Sequence, residues 1–169
     1  MDVDILMQLM AKHAEAIRTL VQPISGEQAR WKPTPEDWSV LEVVNHLFDE
    51  ELEDFRAHLD FILYHADQPW PVIDPGGWVT ERGYNQREIG ESLDRFLKAR
   101  EESLAWLKSL ETPDWDTAYQ LEWGPLTAGD MLASWVAHDL LHMRQLVELQ
   151  RAYAVQQSEP YSGRYAGQW

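Results

Sequence analysis

The sequence contains no cysteine in its 169 residues. Disulfide bonds and zinc sites with cysteine ligands are therefore excluded. Any metal would have to bind histidine and carboxylate side chains, and any thiol nucleophile would have to come from a second substrate. Since 44% of the residues are hydrophobic, a chain of this length can bury the core of a single domain without disulfide support.

Basic residues are scarce as well. The chain has 14 Lys and Arg against 29 Asp and Glu, which gives a formal net charge of −15. Nucleic-acid binding draws its affinity from Lys and Arg at the phosphates, so no nucleic-acid partner is expected. No run approaches the roughly 20 apolar residues of a membrane-spanning helix, and the acidic start of the chain does not resemble a secretory signal. We predict a cytoplasmic protein that does not bind membranes.

Four long segments have apolar residues three and four positions apart, the pattern of amphipathic helices. They cover residues 4–21, 39–64, 89–110 and 128–153. Three of them begin at residue pairs with the spacing of a helix cap, which satisfies free backbone N–H groups. The pairs are Ser39 with Glu42, Asn85 with Glu88, and Thr127 with Asp130. These patterns predict an all-α fold, a four-helix bundle over residues 1–154.

The remaining segments are predicted from their composition. Residues 66–84 are rich in Pro and Gly, and they read as a structureless loop that is either functional or a long crossover. The connections contain little that suggests strands. The last helix is apolar on nearly every side, which predicts a helix buried by its neighbours. Residues 155–169 form a tail that is flexible or packs its aromatic residues, Tyr161, Tyr165 and Trp169, on the domain or on a partner chain.

Three histidines stand out as candidate metal ligands. His138 and His142 are four residues apart, so both rings lie on one face of the last helix. His46 lies beside the apolar stripe of the second helix. Three neutral imidazoles from two helices can hold one divalent metal and leave positions open for water or substrate. The alternative is that these residues are hydrogen-bonded histidines of the core.

Other polar residues are candidates for the surroundings of such a site. His13 lies on the apolar face of the first helix, where it either lines the pocket or is a hydrogen-bonded core residue. Gln145, one turn past His142, could bond a ligand or a histidine, and Trp135 is a further candidate pocket residue. His58 and His65 are predicted to lie on the surface.

Two carboxylates lie close to the histidines in sequence. Glu50 is one turn beyond His46 and could be a general base or an acceptor for a histidine, with a solvated acidic residue as the alternative. Asp139 is adjacent to His138 but points about 100° away from it around the helix. We predict that Asp139 forms a structural ion pair.

Two motifs resemble those of the DinB-like superfamily, which includes metal-dependent hydrolases of the YfiT type. The first is Trp38-Ser39, Glu42 and His46-Leu47, and the second is Gly124, Thr127, Leu132, His138, His142, Gln145 and Leu146. The resemblance covers the chain to about Ala154. It implies an up-down-down-up bundle in which residues 66–84 cross over between the second and third helices. It also implies a divalent metal on His46, His138 and His142, nickel or zinc in many members and iron or manganese as further options. Homodimers are common in the family.

Two reaction classes fit such a site: hydrolysis, and group transfer that uses a low-molecular-weight thiol as cosubstrate. Either would act on a small-molecule substrate. A protein that binds metal or a small molecule without catalysis, as in a stress response, is the alternative, and a bundle without metal is a third hypothesis. For the metal hypothesis we expect affinity to fall between about pH 6 and pH 5, because protons compete for the imidazole nitrogens.

Overall fold

The computed structural model describes residues 1–167, and the predicted all-α four-helix bundle is confirmed. The prediction for Trp169 in the tail concerns a residue outside this range. In chain order the elements are α1 (Val3–Val21), α2 (Gly26–Arg30), α3 (Val40–Asp49), a π-helical segment (Glu50–Asp54), α4 (Phe55–Tyr64), α5 (Pro75–Glu81), a 3₁₀ turn (Tyr84–Gln86), α6 (Ile89–Ser109), β1 (Ala118–Leu121), β2 (Gly124–Thr127), α7 (Ala128–Gln157) and a second 3₁₀ turn (Gly163–Ala166). The bundle consists of α1, the rod from α3 to α4, α6 and α7.

The second and third helices of the bundle are parallel. Near the start of both, Asn45 Nδ2 donates a hydrogen bond to Ser92 Oγ. Further along both, Arg100 Nε donates to Glu51 Oε1. Because later residues of one helix meet later residues of the other, α6 must follow a crossover, as predicted for residues 66–84.

The first helix is antiparallel to α6 and parallel to α7. Arg100 of α6 meets the carbonyl of Met10, whereas Arg18, later in α1, borders a groove with the earlier residue Leu93. Along α7 the pairing has the opposite sense, since Met1 and Gly129 border one groove and His13 meets Asp139 ten residues on. The topology is therefore up-down-down-up, as predicted.

The core contains two large apolar clusters and a set of buried polar residues, and a smaller apolar cluster of Trp78, Val79 and Tyr84 lies at the crossover. One cluster includes Leu41, Val44, Phe96 and Leu146. The other includes Leu59, Leu107, Leu132 and Trp135. Buried polar residues from all four bundle helices lie within or between these clusters along the chain: His13, His46, Glu50, Glu51, Arg100, Asp139 and His142. We call this set the polar layer. Burying so many polar groups is unfavourable unless they find partners.

The helix caps agree with the sequence at two positions and differ at the third. Full capping boxes are present at the starts of α3 and α7, as predicted. The predicted cap at Asn85 is wrong. Glu88 is the N-cap of α6 and makes no side-chain cap bond. Asn85 instead accepts a hydrogen bond from Ser39 Oγ and donates to the carbonyl of Arg30, because it lies between two connections that meet at this end of the bundle.

The second helix of the bundle was predicted as one helix over residues 39–64. In the structure it is not α-helical throughout. Its hydrogen bonding changes to the π pattern at Glu50–Asp54 and returns to the α pattern at Phe55. A π-helical turn holds an extra residue and turns the side chains that follow it. The apolar residues on each side of the segment indicate a helix, so the prediction of one helix did not include the insertion.

The connections hold more structure than the sequence indicated. Residues 66–84 include α5, which begins at the capping residue Asp74 and buries Trp78. Directly before α7, β1 and β2 pair antiparallel with Leu121 opposite Gly124. Gly124 has a φ of 135°, a conformation that favours glycine, which explains the glycine of the second motif. The connections were expected to be poor in strands, and this small two-stranded hairpin is the sheet that the described residues form.

The last helix is less buried than predicted. Leu140 and Leu141 are 52% and 59% exposed, so α7 has an outward apolar face. It also continues to Gln157, beyond the boundary placed after residue 154. Tyr161 and Tyr165 in the tail are exposed, so among the described residues neither tyrosine packs on the domain. Among residues 1–167, no helix combines the length and apolar composition needed to cross a membrane.

Candidate metal centre

The bundle brings His46, His138 and His142 together. One ring nitrogen from each lies within 4.8 Å of the others. Nε2 of His138 and Nε2 of His142 are 3.0 Å apart. His46 comes from α3, and the other two occupy successive turns of α7. Ligand nitrogens of a tetrahedral zinc site are about 3.3 Å apart, so modest side-chain rotation would suit a divalent ion.

Gln145 contacts the histidine that lies one turn before it. Its Oε1 atom is 2.8 Å from Nδ1 of His142. Since an amide oxygen can only accept, the proton of the His142 ring is held on Nδ1 and Nε2 keeps its lone pair. The side chain of Gln145 thus orients His142 with its Nε2 atom toward His138.

All three histidines are favoured in the neutral form. Burial, followed by the neighbouring His142 and His138, lowers the pKa of His46 to about 3. Burial and His142 lower the pKa of His138 to about 4. Burial also lowers the pKa of His142. Neutral imidazoles are the form that binds metal ions, so the three rings are ready to do so at neutral pH.

Glu50 lies beside the histidines at the start of the π-helical segment. Its Oε1 atom is 3.7 Å from Nδ1 of His46, and its Oε2 atom is 4.0 Å from Nε2 of His138. Oε1 of Glu50 and Nδ1 of His46 are buried, and neither has a hydrogen-bond partner among the described residues. Burial and the neighbouring Asp54 raise the pKa of Glu50 to about 9. Two unpaired buried atoms of this kind are costly, and a bound cation would satisfy them.

His58 is buried, so its predicted surface position is wrong. Its Nδ1 atom is 2.7 Å from Oδ1 of Asp54, and its Nε2 atom is 3.0 Å from the carbonyl of Pro71. Burial would lower the pKa of His58, but these acceptors outweigh it and the pKa is raised. Asp54 also bonds Glu50, so His58 belongs to the surroundings of the site. Trp70 of the crossover covers His58. The local apolar periodicity could not predict this burial, because the crossover is a separate segment. His65 is exposed, as predicted.

Aromatic rings border the histidines on two sides. The ring of Trp38 meets His46 edge to face at 4.9 Å between centroids, and Phe55 lies 4.9 Å from His138. A cavity of about 270 Å³ adjoins this place, lined by residues that include Trp38, Gln145 and Leu149. The side chain of His138 is the most accessible of the three, at 19% exposure. A small molecule would therefore approach the site on the His138 side or by way of the Trp38 cavity.

Three further sequence candidates lie behind the site. His13 is buried and its Nδ1 atom is 3.2 Å from Asp139, so the core alternative is the one observed. Trp135, a predicted pocket residue, stacks on Phe55, whose ring lies against His138. Asp139 forms the predicted ion pair, and its partner is Arg100. Arg100 was not singled out from the sequence, since an arginine within a helix is normally exposed.

Helices that gather three histidines and a buried glutamate around one point define a class, four-helix-bundle proteins with a buried histidine cluster that could hold a metal ion. Within it, this chain belongs to the DinB superfamily, whose family model matches residues 9–146. Its structure is similar to that of YfiT from Bacillus subtilis, described as a probable metal-dependent hydrolase with an unusual four-helix bundle topology. The two share 18% sequence identity and a TM-score of 0.77, over 89% of this chain and 87% of YfiT. None of the curated proteins compared with the chain matches it in sequence.

Proposed function

We propose that the protein is a divalent-metal-dependent enzyme that acts on a small molecule, with His46, His138 and His142 as metal ligands. The observation that carries the proposal is the convergence of three neutral ring nitrogens within 4.8 Å. The unpaired carboxyl oxygen of Glu50 beside them adds support. Nickel and zinc suit such a site, and iron or manganese would also accept these ligands.

Glu50 is the proposed proton acceptor. A divalent ion at this site would supply Lewis acidity, which lowers the pKa of a water or thiol. Near a bound cation the pKa of Glu50 falls, because opposite charge favours the carboxylate. Its Oε1 atom, which has no hydrogen-bond partner among the described residues, would then be available to take the proton. Gln145 holds His142 in position, and the Trp38 and Phe55 rings limit access of water.

Hydrolysis and thiol-dependent transfer are both compatible with this arrangement. With no cysteine in the chain, transfer requires a low-molecular-weight thiol as cosubstrate. An activity screen on metal-loaded protein, with and without a panel of such thiols, separates the two reactions. Turnover that depends on added thiol indicates transfer, and turnover without thiol indicates hydrolysis. We place the reaction in the cytoplasm as part of the same proposal.

Elemental analysis of protein purified without a polyhistidine tag tests the metal site. We expect about one divalent metal per chain, lost in His46→Ala and retained in His65→Ala. The second variant removes an exposed histidine and is the matched control. A wild-type protein that takes up no added metal and melts at the same temperature in chelator would contradict the proposal.

A second candidate is a binding protein without turnover, acting for example in a stress response. The low accessibility of the site favours it, since His46 and His142 are both buried. In that case metal would raise the melting temperature, because it binds the folded chain. The thiol and hydrolysis screens would then detect no turnover in protein shown to contain metal.

A homodimer is also part of the proposal. Leu140 and Leu141 are exposed on α7, and Ala133 and Ala137 lie exposed on the preceding turns. We call these four residues the α7 apolar face. A second copy of the chain could bury it in a two-fold contact, the commonest arrangement for oligomers.

A further inference from the structure

Arg100 is a buried residue of the polar layer, bonded to Glu51 and Asp139. It belongs to α6, which contributes no histidine to the cluster. Its side chain is 2% exposed. Complete burial of an arginine requires partners for its charge and for all of its N–H groups.

Every N–H group of the Arg100 guanidinium has an acceptor. Nε donates to Glu51 Oε1 over 2.8 Å, and Nη2 donates to the same oxygen. Nη1 and Nη2 each donate to one oxygen of Asp139, both over 2.7 Å. The remaining donor of Nη1 meets the carbonyl of Met10 at 3.1 Å. A planar fork that binds two carboxyl groups in this way fixes their relative positions.

The two carboxyl groups belong to residues adjacent to the site. Glu51 follows Glu50 in the π-helical segment, and Asp139 follows His138 on α7. On the site side, Oε2 of Glu50 and Nε2 of His138 are 4.0 Å apart. Arg100 therefore links, from behind, the two stretches of backbone that present Glu50 and His138.

A second link joins the same two elements. Trp135 Nε1 donates to Oε1 of Glu51 over 2.8 Å, so α7 contacts the π-helical segment one turn before Asp139. The ring of Trp135 stacks on Phe55, 5.8 Å between centroids. We call Arg100, Glu51, Asp139 and Trp135 the α6 clamp.

Stability alone is a weak reason for such a cluster. Replacing a buried ion cluster with neutral residues of similar size often leaves a protein as stable or more stable, because the charges no longer lose their hydration. We infer that the charges are kept because they fix the relative positions of the helices. A guanidinium with all donors engaged allows one arrangement of its partners, whereas apolar contacts allow the helices to slide.

We propose that Arg100 is a positioning residue for the metal centre, which holds the proton acceptor Glu50 and the metal ligand His138 in fixed positions relative to each other. The inference rests on the metal site of the proposed function. It assigns to α6, a helix without ligands, the role of positioning residues of the site on two other helices. The positioning is relayed through the neighbours Glu51 and Asp139.

The test compares metal affinity with folding in three variants. Arg100→Lys keeps the charge and removes the fork. The combined variant Glu51→Gln, Arg100→Met, Asp139→Asn removes all three charges and keeps acceptors for Trp135 and His13. Arg95→Met is the matched control on the same helix, since the Arg95 guanidinium lies over Phe48, 4.1 Å from its ring centroid, and not in the clamp. Co²⁺ is the probe, because its absorption spectrum reports ligand geometry.

We expect the combined variant to unfold cooperatively near the wild-type temperature and to bind Co²⁺ about tenfold or more weakly, with a changed spectrum. Arg100→Lys should show an intermediate loss of affinity, and Arg95→Met none. Wild-type affinity and spectrum in either folded clamp variant would overturn the inference and leave the metal site intact. Affinity that falls only in step with folding stability would also overturn it. A wild-type chain that binds no Co²⁺ would instead remove the proposed function and the inference together.

Discussion

Glu50 and the three histidines occupy the same buried place, but burial acts on them in opposite directions. Burial disfavours charge in both cases, so it raises the pKa of the carboxyl group and lowers the pKa of an imidazole. Without metal, Glu50 and the histidines are therefore all neutral at pH 7. Glu50 and the three histidines together therefore carry no net charge at pH 7 before a cation binds.

This protonation pattern predicts which group loses a proton when metal binds. The histidines have no proton to release at pH 7, whereas Glu50 with its pKa of about 9 has one. We expect wild-type protein to release about one proton per metal at pH 7, and Glu50→Gln to release close to none. Calorimetry in buffers of different ionisation enthalpy measures this number. Glu53→Gln is the control, because Glu53 is paired with Arg82 and its pKa is lowered. Equal proton release in all three proteins would contradict the assignment.

The histidines set a second limit at lower pH. A histidine whose pKa is lowered in the folded chain stays neutral until the pH falls to that value, so its ligand nitrogen is lost only there. The pKa values are about 3 for His46 and about 4 for His138, and the pKa of His142 is also lowered. We therefore expect the loss of affinity at a lower pH than free imidazoles would give. Metal titrations of Glu50→Gln isolate the effect, since Glu50 no longer contributes. Affinity in that variant that declines already at pH 6 would argue against neutral, buried histidines.

At the scale of elements, the start of α3 joins two connections to the helix that carries His46. The hydroxyl of Ser39 accepts from the backbone of Glu42 at 3.1 Å and donates to Asn85 at 2.8 Å. The cap is buried, unlike most helix starts. This one side chain therefore fixes the first turn of α3 and the approach to α6.

Ser39→Ala should lower the free energy of unfolding by about 1 to 2 kcal/mol, because it removes a cap and leaves the partner amide unpaired. Chemical denaturation of protein without metal measures the change. Ser109→Ala, which removes an exposed hydroxyl bonded to the carbonyl of Trp106, should change stability far less. Equal effects of the two substitutions would show that the Ser39 cap contributes little.

The π-helical segment contributes side chains to the histidine site, to the α6 clamp and to the contact with His58. Glu50 faces the histidines, Glu51 faces Arg100 and Asp54 bonds His58. An uninterrupted α-helix turns 100° per residue, and the wider π turn alters that rotation for the residues that follow. Helical insertions of this kind occur frequently at functional sites.

At the scale of the whole molecule, net charge and exposed apolar surface have opposite effects on self-association. The net charge of −15 keeps copies of the chain apart at long range, while the α7 apolar face favours contact at short range. Salt screens the charge repulsion but does not weaken the apolar contact. Self-association should therefore become stronger as the ionic strength rises.

Leu141→Glu should shift the proposed homodimer to monomer, because it places a charge within the α7 apolar face. Sedimentation velocity across protein concentrations measures the shift. Val72→Glu, at an exposed position of the crossover, is the control and should leave the dimer unchanged. A wild-type chain that sediments as a monomer at all concentrations and salt levels would remove the dimer from the proposal and leave the metal site unaffected.

The fold was predictable because its signals are local. Apolar spacing gave the long helices, and the pairs Ser39 with Glu42 and Thr127 with Asp130 marked two helix starts. The spacing of His138 and His142 on one helix is likewise set by helical geometry. Whether those residues bind metal stays a prediction.

The tertiary structure decided what depends on contacts between distant segments. Burial of His58 needed the crossover, burial of Arg100 needed carboxyl groups from two other helices, and exposure of Leu141 depended on which face of α7 the other helices cover. The π-helical turn was not predicted, because the apolar spacing on each side of it indicates only a helix. The sequence by itself determined which residues could form helices and which could bind a cation. Only packing determined which of them share one buried place, because burial and electrostatic partners are properties of the folded chain.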